Sequence, residues 1–286
     1  MEINELIKIG VDRIKGRLYS NPMLEATLLL SKLMKVDKAY IYTHGKDNVP
    51  EEIVKEYIEA VEKRSIGYPI QYIIKEKEFM GLDFYIEEGV LIPRPDTEII
   101  VEYILKHIDE NYPQENIKVL DIGIGSGAIG LSIAYYRKNT YVYGVDISPK
   151  ALKVANINKE RFKLTNVELL ISDLFEKIAK EEKFHIIVSN PPYIPTDNID
   201  KLQEEVKDYE PRIALDGGKE GMDFYRRIVP ESKEYLEEGL LIFEIGYDQG
   251  NEVKDLMIAE GFKDVNVLKD LQGLDRAVLG INGKRS

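Results

Sequence analysis

The residues best suited to chemistry fall in three places. The first is Asp121-Ile122-Gly123-Ile124-Gly125-Ser126-Gly127, between a short apolar stretch and a helix-forming one. Glycines at such a strand-to-helix turn allow a tight backbone path and let N–H groups approach a ligand without Cβ obstruction. The second is Asp146, which ends the next apolar stretch, 19 residues past Gly127. A carboxylate so placed can accept both hydroxyl hydrogens of an adenosine ribose. Two cofactor classes compete for this pair. Gly125-Ser126-Gly127-Ala128-Ile129-Gly130 fits the dinucleotide pattern G-x-G-x-x-G, while the overlapping D-x-G-x-G-x-G fits the loop of S-adenosylmethionine-dependent methyltransferases. The glycines serve either, because both loops solve the same problem of backbone approach.

The third place separates the classes. Asn190-Pro191-Pro192-Tyr193 follows the apolar run Ile186 to Ser189 and so stands at the carboxyl end of a strand. A planar nitrogen, in an amide or an exocyclic amine, has its lone pair delocalised and is a weak nucleophile towards a methyl sulfonium. An Asn side-chain oxygen and a neighbouring backbone carbonyl can each accept one of its two N–H bonds. That holds the nitrogen in line with the methyl and favours localising its lone pair. Prolines stiffen the loop and remove competing donors, and a Tyr ring can stack on a planar substrate. Asn190, Pro191 and Tyr193 are therefore the catalytic candidates, with Pro192 beside them in the substrate site.

The elements that must position these residues differ along the chain. Up to about Ile73 the pattern is helical: Ile3, Leu6, Ile7 and Ile14 lie near a 3.6-residue period. Asn21-Pro22 offers a cap and first-turn proline before a leucine-rich helix, and Pro50-Glu51-Glu52 opens another. Phe79, Phe84 and Ile86, around Gly81-Leu82-Asp83, predict a hairpin. Pro93-Arg94-Pro95 closes it, and Asp96 or Thr97 can cap the helix from Glu98 to His107. From Lys118 onward strands and helices alternate, with strands at 119–122, 141–145, 167–171, 185–189, 240–245, 265–268 and 277–281. This alternation predicts an α/β doubly wound sheet with ligands at the carboxyl ends of its strands. The expected organisation is a helical domain over 1–75, a β-hairpin linker over 76–93 and a catalytic domain over 94–286.

Composition narrows the chemistry. The 286 residues contain no cysteine and three histidines, His44, His107 and His185, at no ligand spacing. Thiol nucleophiles, disulfides and zinc–thiolate sites are excluded, and no metal is expected. A net charge of −12 is a poor basis for wrapping nucleic acid. Neither a signal-peptide pattern at Met1-Glu2-Ile3-Asn4-Glu5 nor an apolar run of about 20 residues is present. The expectation is a cytoplasmic protein without membrane contact.

With these residues in view, the chain resembles the PrmC/HemK protein-(glutamine-N5) methyltransferases. The resemblance covers essentially all of it. Its marks include Gly67-Tyr68-Pro69-Ile70-Gln71-Tyr72, Phe79-Met80-Gly81-Leu82-Asp83-Phe84, Arg94-Pro95-Asp96-Thr97-Glu98 and the glycine loop. Asp146, Asn190-Pro191-Pro192-Tyr193, Tyr209-Glu210-Pro211, Phe243-Glu244-Ile245-Gly246 and Asp275-Arg276 complete them. The stretch from Arg94 to Glu98 looks like the branch acting on peptide chain release factors rather than a ribosomal protein. The resemblance implies a seven-stranded, Rossmann-like methyltransferase sheet, S-adenosyl-L-methionine as cofactor, and a glutamine of the release-factor Gly-Gly-Gln motif as substrate. It also implies that the helical domain helps bind the release factor. Cofactor contacts are implied for Asp121, Gly123, Ile124, Gly125, Ser126, Gly127, Asp146 and Asn190. Asp173, Leu174 and Phe175 match the place where the family surrounds the adenine, with either Leu174 or Phe175 covering the ring. Three other readings compete. A nucleic-acid adenine amine would suit the Asn-Pro-Pro-Tyr chemistry equally, a nicotinamide oxidoreductase would use Gly125 to Gly130, and a non-catalytic module would merely keep the fold.

Overall fold

A computed structural model describes residues 1–18 and 20–283. They form two compact units, Met1–Glu76 with Gln203–Tyr209, and Lys77–Leu202 with Glu210–Ser286. The first contains α1 (Ile3–Ile14), α2 (Pro22–Met34), α3 (Lys38–Thr43), α4 (Glu51–Ser65) and α5 (Ile70–Ile74). The Asn21 side chain caps α2, accepting from the Leu24 N–H at 3.1 Å. Glu51 and Glu52 sit in the first turn of α4, where the helix dipole favours them. The apolar faces meet in a core of Ile3, Leu6, Leu29, Leu30, Tyr57 and Val61. Into the same unit comes a short helix from far along the chain, Glu204–Tyr209 (α9). Its Glu205 pairs at 2.7 Å with the buried Arg64, whose other partners are the Glu25 carboxylate and the Tyr68 carbonyl. The Tyr209 hydroxyl donates to the Ile66 carbonyl at 3.2 Å. The expected catalytic domain, 94–286, includes this segment; its ion pairs and contacts join it to the helices.

In the second unit, the hairpin expected around Gly81 is β1 (Glu76–Phe79) and β2 (Leu82–Tyr85). Helices α6 (Glu98–Asn111), α7 (Ala128–Tyr136), α8 (Pro149–Arg161), α10 (Asp223–Tyr235) and α11 (Gly250–Ala259) surround a seven-stranded sheet. Its strands are β3 (Ile117–Ile122), β4 (Thr140–Asp146), β5 (Val167–Ile171), β6 (Phe184–Ser189), β7 (Leu236–Glu244), β8 (Lys263–Lys269) and β9 (Asp275–Asn282). The order is β5-β4-β3-β6-β7-β9-β8, with β9 antiparallel to both its neighbours and the other pairs parallel. Leu120, Ile122, Ile187, Leu241 and Phe243 alternate along their strands to build one buried layer with Tyr225 and Ile228 of α10 and Val253 and Met257 of α11. No helix of the described residues is long and apolar enough to cross a membrane.

Two local expectations fail for identifiable reasons. Strand β7 starts four residues before its apolar run, because Leu236 pairs with Phe184 across a bulge while Glu237 and Glu238 face solvent. Thr97 holds the N-cap position of α6, but neither its side chain nor that of Asp96 makes a capping hydrogen bond. Residues Pro95–Thr97 form a 3-10 turn, Asp96 pairs with Arg276 at 3.2 Å, and the Thr97 hydroxyl is drawn to Glu244 instead.

Candidate active site

Strand order reverses between β3 and β6, and the loops leaving these neighbours open side by side at the carboxyl edge of the sheet. Ile122 pairs with Ser189, and the Ser189 hydroxyl donates to the Ile122 carbonyl at 2.8 Å, so both loops leave at one level. Ile122 also pairs with Val145, which brings Asp146 to the same edge. Here lies a cleft of about 230 Å³. Its walls include Asp121 through Ser126, Asp146, Asp173, Leu174 and Asn190 through Pro192.

The glycine loop leaves room where a ligand would need it. Gly123 and Gly125 have φ of +74° and +58°. A Cβ on Gly123 would meet nothing within 4 Å, and one on Gly125 only the Gly123 carbonyl at 3.9 Å. This is a cradle that a side chain would fill. Gly127 serves packing instead: at φ +89° its Cβ would stand 2.5 Å from the Leu131 side chain, and it does not line the cleft. The loop is pinned from both sides. Asp146 accepts from the N–H groups of Gly125 and Ser148, each at 2.9 Å. The buried Asn158, from α8, donates to the Ser126 carbonyl at 2.9 Å and brackets the Tyr85 backbone of the hairpin.

The acids are unequal. Asp121 is 1% exposed and accepts from the Gly130 N–H at 2.8 Å; burial pushes its pKa up to about 7 despite that bond. Burial also raises Asp146, against the opposing pull of backbone N–H donors. Asp173 is held by Arg227, whose Nη2 lies 2.9 Å from both carboxylate oxygens. Carboxylates around a cleft suit hydroxyl donors and a cation. The cradle and these acceptors fit the ribose and sulfonium of S-adenosylmethionine.

Asn190 lines the cleft, and its side-chain amide makes no hydrogen bond to any described residue. Pro191 and Pro192 are beside it. Leu174 lines the cleft, whereas the Phe175 ring stacks on Tyr235 at 4.8 Å within the core and does not reach it. Tyr193 also turns away from the cleft. Its hydroxyl donates to Glu244 Oε1 at 3.3 Å, and its carbonyl accepts from Gln249 Nε2 at 3.1 Å. An aromatic ring in this loop suggested stacking on substrate; the ring packs instead against the core. His185 lies at the opposite end of β6, where its Nδ1 accepts from the Lys118 N–H at 3.1 Å.

Several residues around the loop escaped a site reading. Glu244 is 2% exposed and accepts from the Thr97 hydroxyl at 2.5 Å. Burial raises its pKa, opposed by Thr97, Arg276 and Tyr193. Ile194 exchanges backbone bonds with Leu215 and Gly217, fastening the loop's far side, and Glu210 accepts from the Ile92 N–H and pairs with Arg94. Thr97, Glu210 and Glu244 sit inside quoted motifs, but each by itself reads as an ordinary cap, turn or strand residue.

Comparison with known proteins agrees with this arrangement. Residues 5–74 match the PrmC N-terminal domain and residues 113–214 a methyltransferase domain. The chain is 47% identical over 264 residues to a release factor glutamine methyltransferase of Clostridium acetobutylicum, covering 91% of this chain and 92% of that one. It is 41% identical over 283 residues to the enzyme of that name from Clostridium botulinum, covering 97% and 98%. A methyltransferase from Pyrococcus furiosus shares the fold, with a TM-score of 0.52 at 22% identity over 72% of this chain and 91% of that one. Since the likeness to the Clostridium enzymes runs through both units, the chain belongs to the family of release factor glutamine methyltransferases.

Proposed function

We propose that the cleft transfers a methyl group from S-adenosyl-L-methionine to the side-chain amide nitrogen of a glutamine in the Gly-Gly-Gln motif of peptide chain release factors. The observation that carries the reading is Asn190: an amide without a hydrogen-bond partner among the described residues, on a cleft wall, at the switch point beside the glycine cradle. When bound, the cofactor supplies a methyl group on a sulfonium, already a good leaving group. The protein's task is therefore placement, and alignment of two reactants is worth about 7–11 kcal/mol. Gly123 and Gly125 admit the cofactor, Asp146 takes its ribose hydroxyls, and Asp173 and Leu174 flank its adenine. The Asn190 side-chain oxygen and the Pro191 carbonyl accept the two N–H bonds of the substrate amide. No side chain is assigned as a general base, because the methylated amide nitrogen readily releases its proton to water. The helical unit is assigned to release-factor docking. Release factors act on ribosomes of the cytoplasm, and we place the reaction there. The charge of −12 weighs against a nucleic-acid adenine as substrate.

The test is mass spectrometry of release factor incubated with the protein and isotopically labelled cofactor. A single labelled methyl on the Gly-Gly-Gln glutamine is expected. A label found only on nucleic acid in a parallel incubation would replace this reading by the amine one.

A further inference from the structure

We propose that Glu244 is a positioning residue for methyl transfer, the centre of a buried Thr97–Glu244–Tyr193 brace that places Asn190 and Pro191 without touching the substrate. The inference rests on the function proposed above. Strand β7 lies beside β6 with Ser189 paired to Phe243, so Glu244 is level with the first residue of the Asn-Pro-Pro-Tyr loop. One carboxylate oxygen accepts from Thr97, itself on the cleft wall, and the other from Tyr193, which closes the loop. Two separate parts of the site, the 95–97 turn and the 190–193 loop, therefore hang from one side chain. The backbone of Glu244 is held in turn, its carbonyl accepting from the buried Tyr225 hydroxyl at 2.8 Å.

The choice of residue argues for this role. A carboxyl group is costly to bury, and an apolar side chain of similar size packs in such a place without that cost. Glutamate adds two directional acceptors, and both are used on parts of the site. Arg276 offsets the charge without displacing either hydroxyl, since its own ion pairs go to Asp96 at 3.2 Å and Asp270 at 2.9 Å. The tyrosine's ring packs against the core and does not line the cleft, so its hydroxyl acts on the reaction only through the backbone it anchors.

The test uses the full chain with release factor and labelled cofactor. Tyr193→Phe removes one hydroxyl, and Glu244→Met removes both acceptors at similar volume. Each should lower kcat about ten- to a hundredfold, since a small misplacement of reacting groups has effects of that size. Calorimetric affinity for S-adenosylmethionine should change less than threefold. Glu244→Gln keeps an acceptor and should recover most of the kcat. The Tyr193→Phe/Glu244→Met double variant should be no slower than Glu244→Met alone, because both break one brace. Unchanged kcat in Tyr193→Phe, or losses that multiply in the double variant, would overturn the proposal. So would a lowered melting temperature with normal turnover per folded molecule. If the parent protein methylates no release factor, the proposed function fails separately. Hydrogen exchange then still decides the brace: the Tyr193 and Ile194 amides should exchange faster in Tyr193→Phe and Glu244→Met alike, and unaltered exchange overturns it.

Discussion

Asn190 and Asp121 show opposite uses of a polar side chain within one cleft. Asn190 makes no hydrogen bond to a described residue and is available to a ligand, so its removal should spare the fold. We expect Asn190→Ala to keep its melting temperature and cofactor affinity while kcat falls about two to three decades, the scale of one preorganised contact in a transition state. Asn190→Asp, which keeps an acceptor at that position, should retain more activity than Ala. Single-turnover rates on saturating release factor check both. Asp121 is spent on the protein, its oxygen taken by the Gly130 N–H. Its folded pKa of about 7 is far above the unfolded value, so the folded state holds its proton longer. The associated stability is complete below about pH 4 and is lost as pH rises towards 7, on the order of 2–4 kcal/mol. Asp121→Asn keeps an acceptor without the titration. Denaturant unfolding should show the variant gaining on the parent as pH rises from 4 to 7; a pH-independent difference would refute the assignment.

The strand–turn–helix unit from β3 to α7 separates two glycine roles that a motif merges. At Gly127 a methyl meets the Leu131 side chain at 2.5 Å on a backbone of φ +89°. Gly127→Ala should therefore destabilise by roughly 1–3 kcal/mol, through strain and displaced packing. At Gly125 there is no such clash, and the left-handed backbone alone costs about 1–2 kcal/mol. Yet a methyl at Gly125 enters the cradle, and affinity for S-adenosylmethionine should fall at least tenfold. Thermal melts paired with calorimetry resolve the two: Gly127→Ala should lose mainly stability, Gly125→Ala mainly binding. Equal losses of both kinds in the two variants would mean that the loop acts as one structural unit.

The whole chain crosses between its two compact units more than once. Residues Gln203–Tyr209 belong with the helices, while Leu202 and Glu210 on either side belong with the sheet. Immediately beyond them, Pro211, Ile213 and Ala214 line the cleft. Deleting residues 1–76 would remove Arg17, Arg64 and Ile66, the partners of Glu204, Glu205 and Tyr209. We expect residues 77–286 to lose release-factor methylation and also to bind S-adenosylmethionine severalfold more weakly, with faster hydrogen exchange across 203–216. Unchanged exchange there would show that the segment holds its place without the helices. A clean test of docking therefore needs exposed substitutions in the helical unit rather than its removal.

Glycines, prolines, caps and apolar alternation act over a few residues, and the sequence alone was enough to place them. Asn21 caps α2, the hairpin turns at Gly81, seven strands lie on the apolar runs, Asp146 ends β4 and Asn190 directly follows β6. The meeting of those strand ends follows from strand order, which only the folded sheet decides. Leu174 and Phe175 are adjacent and both apolar, so composition could not choose between them; the Tyr235 ring in the core takes Phe175 and leaves Leu174 to the cleft. Thr97 is a good helix cap by type, yet Glu244, 147 residues away, takes its hydroxyl. Tyr193 reads as a stacking ring until the same carboxylate claims its hydroxyl. In each case the deciding partner is remote in sequence and buried, where an unpaired polar group costs more than a local preference can return.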